Sequence, residues 1–236
     1  MKDNRSYYND FADWYERGRD RGYHALLDHL QSDLTIPLAR DRDVLEVGCG
    51  TGLILKSVAP VARSAVGLDL SPGMLEQARA RGLDVVEGSA TALPFDDASF
   101  DLVFSFKVLA HVEDIEQAMA EVARVLRPGG RALLEFYNKA SLRYLIKRLK
   151  PAQKVSETTT DDQVYTRYDS LGDVRRYLPG DLNIEALHGV RVFTPVAQVH
   201  TIPVVRQAFA FAERAARDHT LLARFGGFLI VEVSRR

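Results

Sequence analysis

The chain has 236 residues, 46% of them hydrophobic, which suits one large domain or a core with a cap. Its 31 basic and 32 acidic side chains leave a formal net charge of −1, which argues against a nucleic-acid partner or an anionic membrane surface. A single cysteine excludes an internal disulfide framework and a multi-cysteine metal site. No signal peptide and no membrane span of about 18 apolar residues is evident, so we expect a cytoplasmic protein.

The first predicted element is an aromatic-rich helix within residues 5–30, where aromatic and charged side chains alternate at spacings of three and four. Tyrosine and tryptophan combine apolar area with a polar tip, which suits a lid over a half-wet site. The alternative is that these side chains only pack the helix on the core. The aromatic residues of this segment are Tyr7, Tyr8, Phe11, Trp14, Tyr15 and Tyr23.

The next element, VLEVGCGTG at 44–52, is typical of a strand that breaks into a glycine turn and then a helix beginning near Thr51. Glycines at alternate positions let a ligand approach the backbone, and this arrangement predicts an adenosine-type cofactor. A dinucleotide-binding turn requires the pattern GxGxxG, but position 53 is Leu53 and the third glycine comes one residue early. The turn therefore disfavours a nicotinamide cofactor.

Two acids accompany this turn. Glu46 lies within the predicted strand, where an apolar side chain would pack better, and Asp69 closes the next apolar run, AVGLDL. Together they indicate a ligand with hydroxyl groups and positive charge. Cys49 lies inside the turn, and we interpret it as a small filling residue because no neighbouring histidine or lysine would lower the pKa of its thiol.

Strands and helices then alternate, which predicts a mostly parallel sheet covered on both faces. Ser71 and Pro72 are typical of a helix N-terminus, and residues 128–130 (PGG) are expected to end a later helix. The predicted elements are strand 43–47, helix 52–60, strand 64–69, helix 72–81, strand 84–87, strand 101–106, helix 113–126 and strand 131–137.

With these segments in order, the chain resembles the class I S-adenosylmethionine-dependent methyltransferases, particularly the small-molecule branch with the quinone-biosynthesis enzymes. The resemblance covers about residues 40–138 and includes VGLDLSPGMLEQAR, GSATALPFDDASFDLVFSFKVLAHVED and RVLRPGG. It implies a Rossmann-like α/β fold, with a mostly parallel seven-stranded sheet, an antiparallel last strand and helices on both faces. It also implies an N-terminal lid and C-terminal cap insertions.

The resemblance implies that S-adenosylmethionine is the cofactor and that Asp69 binds its ribose hydroxyls. Glu46 and the glycines flank the methionine portion, and Leu70 or Met74 borders the adenine. Where the family usually has an aspartate for the adenine amino group this chain has Ser89, a weaker acceptor. The implied cofactor residues are Glu46, Gly48, Cys49, Gly50, Gly52, Asp69, Leu70, Met74, Ser89, Ala90, Phe106 and Lys107.

The acceptor is expected to lie past the fourth strand. Lys107 either reaches solvent or presents its charge to an acidic substrate. His111 is a candidate general base, although a structural hydrogen bond at the helix start is the alternative. Glu135 and Asn138 are further candidates for the wall of the site. The predicted substrate residues are Tyr8, Tyr15, Lys107, His111, Tyr137 and Tyr165, and no residue cluster has metal-ligand spacing.

Beyond residue 138 the pattern loosens. The basic amphipathic segment SLRYLIKRLK predicts a helix, either a membrane-touching or lipid-contacting one or part of a substrate cap with a solvated charged face. Residues 151–162 are typical of a loop. We therefore predict a single domain with a lid (1–40), a cofactor-binding core (41–138), cap insertions (139–182 and 195–225) and closing strands (183–194 and 226–236).

The functional hypothesis is methyl transfer from S-adenosylmethionine to a small-molecule acceptor, with oxygen favoured. Three alternatives stay open: carbon or nitrogen transfer to a lipidic or quinone-like acceptor, a catalytically silent cofactor-binding module, and a nicotinamide-dependent oxidoreductase. Nucleic-acid substrates are disfavoured because the position after the fourth strand reads SFKV, without the proline pair of amino-methylating enzymes.

Overall fold

The computed structural model describes residues 9, 22–149, 165–194, 199 and 203–236. Its centre is one seven-stranded sheet with the strand order β3-β2-β1-β4-β5-β7-β6. The strands are β1 (Asp43–Val47), β2 (Ser64–Asp69), β3 (Asp84–Glu87), β4 (Phe100–Ser105), β5 (Leu126–Tyr137), β6 (Leu182–Val190) and β7 (Phe228–Arg235).

The pairings confirm the predicted sheet. Strands β1 to β5 pair in parallel, and β7 runs antiparallel to both of its neighbours, β5 and β6. Because parallel strands end at the same edge of a sheet, the residues that follow β1, β2, β3 and β4 collect at that edge, together with the end of β5. This edge carries most of the predicted site.

Helices cover both faces of the sheet. Short 3₁₀ turns at Leu109–His111 and Leu222–Phe225 connect them to the strands. The helices are α1 (Gly22–Ala39), α2 (Leu55–Val58), α3 (Pro72–Ala80), α4 (Ile115–Val125), α5 (Leu142–Leu149), α6 (Leu171–Tyr177) and α7 (Pro203–Arg217).

Two apolar clusters, one on each face of the sheet, form the core. On one face, Leu27 and Leu30 of α1 pack with Leu55 and with Phe104 of β4. On the other face, residues of α4 such as Met119 pack against β4 and β5. Burial of apolar surface stabilises such clusters by about 25 cal/mol for each Å², and this is the main stabilising term.

The N-terminal segment is described only in part. Tyr23 is buried in the core cluster with α1, so for this residue the core interpretation holds. Residues 1–8 and 10–21, which include Tyr8 and Tyr15, lie outside the described residues, and the predicted lid stays a prediction. Asn9 is described, and its Oδ1 accepts a hydrogen bond from the amide of Gly73 at 2.9 Å, beside the start of α3.

Two predicted boundaries are wrong. The helix expected near Thr51 begins only at Leu55, because Gly52 has a φ of +79°, which a right-handed helix does not accommodate. The helix predicted over 113–126 ends at Val125, but the strand predicted to begin at residue 131 begins at Leu126, so residues 128–130 lie within β5. Residues 127–130 have no paired residue on β4, because Phe100 pairs with Leu126 and Leu102 pairs with Arg131.

The start of α3 confirms its prediction. Ser71 is the N-cap, its hydroxyl accepts the amide of Met74 at 3.3 Å, and Pro72 opens the helix. In the described part of the chain, no helix has the length and apolarity needed to cross a bilayer.

Candidate functional site

The glycine turn after β1 has one side open. Gly48, Gly50 and Gly52 all have positive φ, at +77°, +54° and +79°. A Cβ on Gly48 would lie 2.2 Å from Val108, and one on Gly52 would lie 2.2 Å from Leu83, so these two glycines are required by packing. A Cβ on Gly50 would meet no described atom within 4 Å. Gly50 is therefore the point where a ligand can approach the backbone.

Asp69 connects the turn to the end of β2. Its Oδ2 accepts the amide of Gly50 at 2.8 Å, and its Oδ1 accepts the amide of Ser71 at 2.9 Å. Burial raises the pKa of Asp69, while these backbone hydrogen bonds lower it. The bonds hold the carboxylate in one orientation, and each oxygen keeps a lone pair for a further donor.

Glu46 is a buried acid without a full set of partners. Its side chain lies inside the protein, and its Oε2 has no hydrogen-bond partner in the described part of the chain. Burial raises the pKa of Glu46 well above its usual value, and the charge of Asp69 adds to this effect. A cationic ligand would stabilise the ionised carboxylate, so the site suits the positively charged methionine portion of S-adenosylmethionine.

Cys49 has a structural role. Its thiol is free and buried, and a Cβ on Gly67 of β2 would lie 2.6 Å from its sulfur. Burial raises the pKa of the thiol, and the nearby charges of Glu46 and Asp69 raise it further. The position therefore disfavours thiol chemistry, in agreement with the interpretation of Cys49 as a filling residue.

The predicted adenine neighbours differ in exposure. Leu70 follows Asp69 and is 39% exposed, whereas Met74 is only 2% exposed and packs within the protein. Leu70 is therefore the better candidate for an accessible apolar wall. Ala90, the other predicted residue here, is partly buried against the core.

Ser89 belongs to a short turn. Its Oγ accepts the amide of Thr91 at 3.2 Å and lies 2.8 Å from the hydroxyl of Thr91. Aspartate forms the same kind of turn. We expect Ser89→Asp to keep the fold and to bind S-adenosylhomocysteine as tightly as the wild type or up to about tenfold tighter, because a carboxylate is the stronger acceptor. Calorimetric titration measures this, and a clear loss of affinity would contradict the placement of Ser89 beside the adenine.

A polar bridge joins α1 to the ends of β4 and β5. Lys107 has a φ of +62°, and its Nζ forms an ion pair with Asp28 at 2.6 Å. Its amide donates to Glu135 Oε1 at 3.0 Å, and the Gln31 side-chain amide donates to the other oxygen of Glu135. Burial raises the pKa of Glu135 to about 7, against the lowering effect of Lys107. The charge of Lys107 is thus paired with Asp28. The two interpretations of the sequence, exposure to solvent and contact with an acidic substrate, did not include this partner.

His111 and Tyr137 meet at the acceptor side of the edge. His111 Nδ1 lies 2.7 Å from the carbonyl oxygen of Tyr165. Because a carbonyl only accepts, Nδ1 carries the proton, and Nε2 is the acceptor of the neutral ring. The Tyr137 hydroxyl lies 3.5 Å from Nε2. Burial lowers the pKa of His111, and the Tyr165 carbonyl opposes this effect.

The structure brings some of the predicted residues into direct contact, namely Gly50 with Asp69 and His111 with Tyr137. Tyr165 reaches the site through its backbone carbonyl, and Phe106 is buried against Phe104. Sequence reasoning missed Asp28 and Gln31, whose only signal was their spacing of three on one helix. It also missed Arg143, whose guanidinium lies over the ring of Tyr137.

The strand order and the edge site define a class I methyltransferase fold. Residues 45–134 match the protein family described as a methyltransferase domain. The chain is 43% identical over 100 residues to a "Probable S-adenosylmethionine-dependent methyltransferase" of Mycolicibacterium smegmatis, covering 42% of this chain and 39% of that protein. Residues 45–134 of this chain therefore form a methyltransferase domain, and S-adenosylmethionine is the cofactor that this domain and its relatives indicate.

A second relative and a solved structure extend the comparison. Malonyl-(acyl-carrier protein) O-methyltransferase of Hahella chejuensis is 35% identical over 167 residues, which cover 59% of this chain and 60% of the relative. The chain thus spans about half of the length of the curated relatives that it matches. A Thermotoga maritima SAM-dependent methyltransferase, described as a possible histamine N-methyltransferase, has a TM-score of 0.69 at 20% identity, over 98% of this chain and 99% of that chain. At this identity the likeness establishes the fold.

Proposed function

We propose that this protein transfers a methyl group from S-adenosylmethionine to a small-molecule acceptor. The observation that carries the proposal is the pairing of Glu46, with its unpartnered buried oxygen, and Asp69 at the open side of Gly50. Asp69 accepts the ribose hydroxyls, Glu46 faces the cationic methionine portion, and Leu70 borders the adenine. When bound, the cofactor supplies an electrophilic methyl group on a sulfonium.

The chain's own contribution to the reaction is positional. Methyl transfer needs the acceptor atom held in line and water excluded. The polar bridge of Lys107, Asp28, Glu135 and Gln31 fixes the wall between the ends of β4 and β5. Residues 41–138 are the proposed cofactor-binding core, with the lid, caps and closing strands as predicted from the sequence. We also propose a cytoplasmic location, as expected from the sequence.

Oxygen is the acceptor atom that we favour. The neutral Nε2 of His111 can take a proton from a hydroxyl, directly or through the hydroxyl of Tyr137. The Hahella relative is named as an O-methyltransferase, which supports this choice, whereas the Thermotoga protein is described as a possible N-methyltransferase. Methyl transfer to carbon or nitrogen of a lipidic or quinone-like acceptor is the alternative. A neutral amine would depend least on His111 as a general base.

The role of His111 predicts a pH effect on stability. Because its folded-state pKa is lowered, the folded protein prefers the neutral ring, so this contribution is present above the ordinary histidine pKa of about 6.5 and is lost as the pH falls. We expect wild type to lose more unfolding free energy between pH 8 and pH 5 than His111→Gln does. Denaturant titration at both pH values measures the difference. The exposed His29→Gln is the control and should behave as wild type, and an equal loss in all three proteins would contradict the prediction.

The experiment that tests the function is a release assay for S-adenosylhomocysteine with matched phenol, carboxylate, amine and quinol acceptors. Turnover that depends on a phenol or a carboxylate supports O-methylation, and turnover only with amines or quinols supports the alternative. Binding of S-adenosylhomocysteine without turnover on any acceptor would identify a silent module. His111→Gln should lower turnover of a hydroxyl acceptor by about a hundredfold if the ring acts as a general base.

A further inference from the structure

The guanidinium of Arg143 lies in a box of aromatic rings. Its central carbon is 4.1 Å from the centroid of Tyr137, 4.7 Å from that of Phe228 and 5.5 Å from that of Tyr168. Its Nη1 is buried and has no hydrogen-bond partner within the described part of the chain. We call Arg143, Tyr137, Tyr168 and Phe228 the aromatic box.

Within the described ranges the charge of Arg143 is not paired with an acid. No ion pair or hydrogen bond joins Arg143 to a carboxylate among the residues that the structure describes. Glu135, whose charge acts on it most among the acids, already accepts from Lys107 and Gln31. The ring faces attract the cation, but they supply no oxygen acceptors in the guanidinium plane. A buried arginine normally has such acceptors, because an unmet buried donor is costly.

The hydroxyl of Tyr168 has the same deficiency. It is buried and lacks a hydrogen-bond partner in the described ranges. The Tyr168 ring packs against Tyr137 at 5.6 Å between centroids, so it shares the box with Arg143. Two sets of donors without acceptors therefore lie beside one another. This is the complement of a ligand that brings oxygen acceptors.

The orientation of α5 adds an independent observation. Leu142, Leu145 and Leu149 on this helix are exposed, while Arg143 of the same helix points into the box. An amphipathic helix at a protein surface ordinarily buries its leucines and exposes its arginines. The prediction that the charged residues of this helix face solvent is thus wrong for Arg143. Arg148, in contrast, is exposed.

The aromatic box lies next to His111, on the acceptor side of the sheet edge, because the ring face of Tyr137 contacts Arg143 and its hydroxyl contacts His111. We propose that the acceptor carries a carboxylate, which binds the guanidinium of Arg143 and the hydroxyl of Tyr168. Rings that cover the face of a guanidinium leave its planar edge for a two-oxygen ligand such as a carboxylate, and phosphate, which the same edge also accepts, is the competing ligand in the test below. This inference rests on the proposed function, since it names the substrate class of the same site.

Titration calorimetry on protein saturated with S-adenosylhomocysteine tests the inference. The probes are benzoate, its neutral isostere benzamide, and inorganic phosphate. For wild type we expect benzoate to bind at least tenfold more tightly than benzamide or phosphate. Arg143→Gln should reduce benzoate affinity at least tenfold, Tyr168→Phe should reduce it severalfold, and Arg143→Lys should retain part of it. Arg148→Gln, on the same helix, is the matched control and should bind benzoate as wild type does.

Each outcome is decisive. Equal affinity for benzoate and benzamide, undetectable benzoate binding, preference for phosphate, or unchanged benzoate affinity in Arg143→Gln would overturn the carboxylate site. Retained binding of S-adenosylhomocysteine by Arg143→Gln shows that this variant is folded. If Arg143→Gln does not fold, the Tyr168→Phe result and the wild-type comparison of benzoate with benzamide decide. Failure of wild type to bind S-adenosylhomocysteine would refute the proposed function instead, so the two failures are distinguishable.

Discussion

Replacement of Asp69 by alanine is expected to weaken the binding of S-adenosylhomocysteine by about a hundredfold, or about 2.7 kcal/mol, which is within the range of about 1.5–3 kcal/mol for one charge-assisted hydrogen bond. The proposed ribose contact is removed, and so are the acceptors that hold the amides of Gly50 and Ser71. The glycine turn then loses its contact with the ligand and also the hydrogen bonds that hold it in place. Calorimetric titration of both proteins measures the effect.

The matched control for this substitution is Asp84→Ala. Asp84 opens the neighbouring strand β3 at the opposite edge of the sheet and is exposed. It should leave the affinity for S-adenosylhomocysteine unchanged. Asp69→Asn keeps the shape of the side chain but removes the charge, so we expect an intermediate loss. An Asp69→Ala variant that binds the ligand as tightly as wild type would refute the ribose role.

Gly50→Ala is expected to separate cofactor binding from folding. Gly50 and Gly82 have φ values of +54° and +75°, and a Cβ at either position would meet no described atom within 4 Å. Alanine at a positive φ costs about 1–2 kcal/mol, so both variants should lose similar stability. We expect Gly50→Ala also to lose at least tenfold in affinity for S-adenosylhomocysteine, because its methyl group occupies the space of the ligand. Gly82→Ala should bind normally.

Thermal unfolding and calorimetry on the two glycine variants provide the comparison. If Gly50→Ala and Gly82→Ala bind S-adenosylhomocysteine equally well, the open side of the turn does not hold the cofactor. A loss of binding in Gly82→Ala would show that backbone strain alone disturbs the site, since Gly82 follows α3 and lies outside the turn.

The sequence was most informative where structure is local. The strand before Gly48, the acid that ends β2 and the cap at Ser71 depend on neighbouring residues, and the structure confirms their elements. The start of α2 was mispredicted because three glycines with positive φ extend the turn to residue 54, which propensity did not reveal.

On the acceptor side of the site, the side chains are held by contacts between residues that lie far apart in the sequence. Lys107 and Asp28 are 79 positions apart, and Gln31 and Glu135 are 104 apart, so no spacing rule identifies them. Arg143 was expected on a solvated face because helical periodicity placed it among other basic residues. Its inward position follows from the rings of Tyr137 and Phe228, which β5 and β7 bring together in register.

The central claim is that the turn and the two acids hold S-adenosylmethionine. Titration calorimetry of the wild-type chain with S-adenosylmethionine, S-adenosylhomocysteine and NAD tests it most directly. Asp69 would serve the ribose of either cofactor, so the discrimination comes from the early third glycine at position 52 and from Glu46. We predict binding of both sulfur compounds, one per chain, and no binding of NAD. Binding of NAD without binding of either sulfur compound would contradict the account.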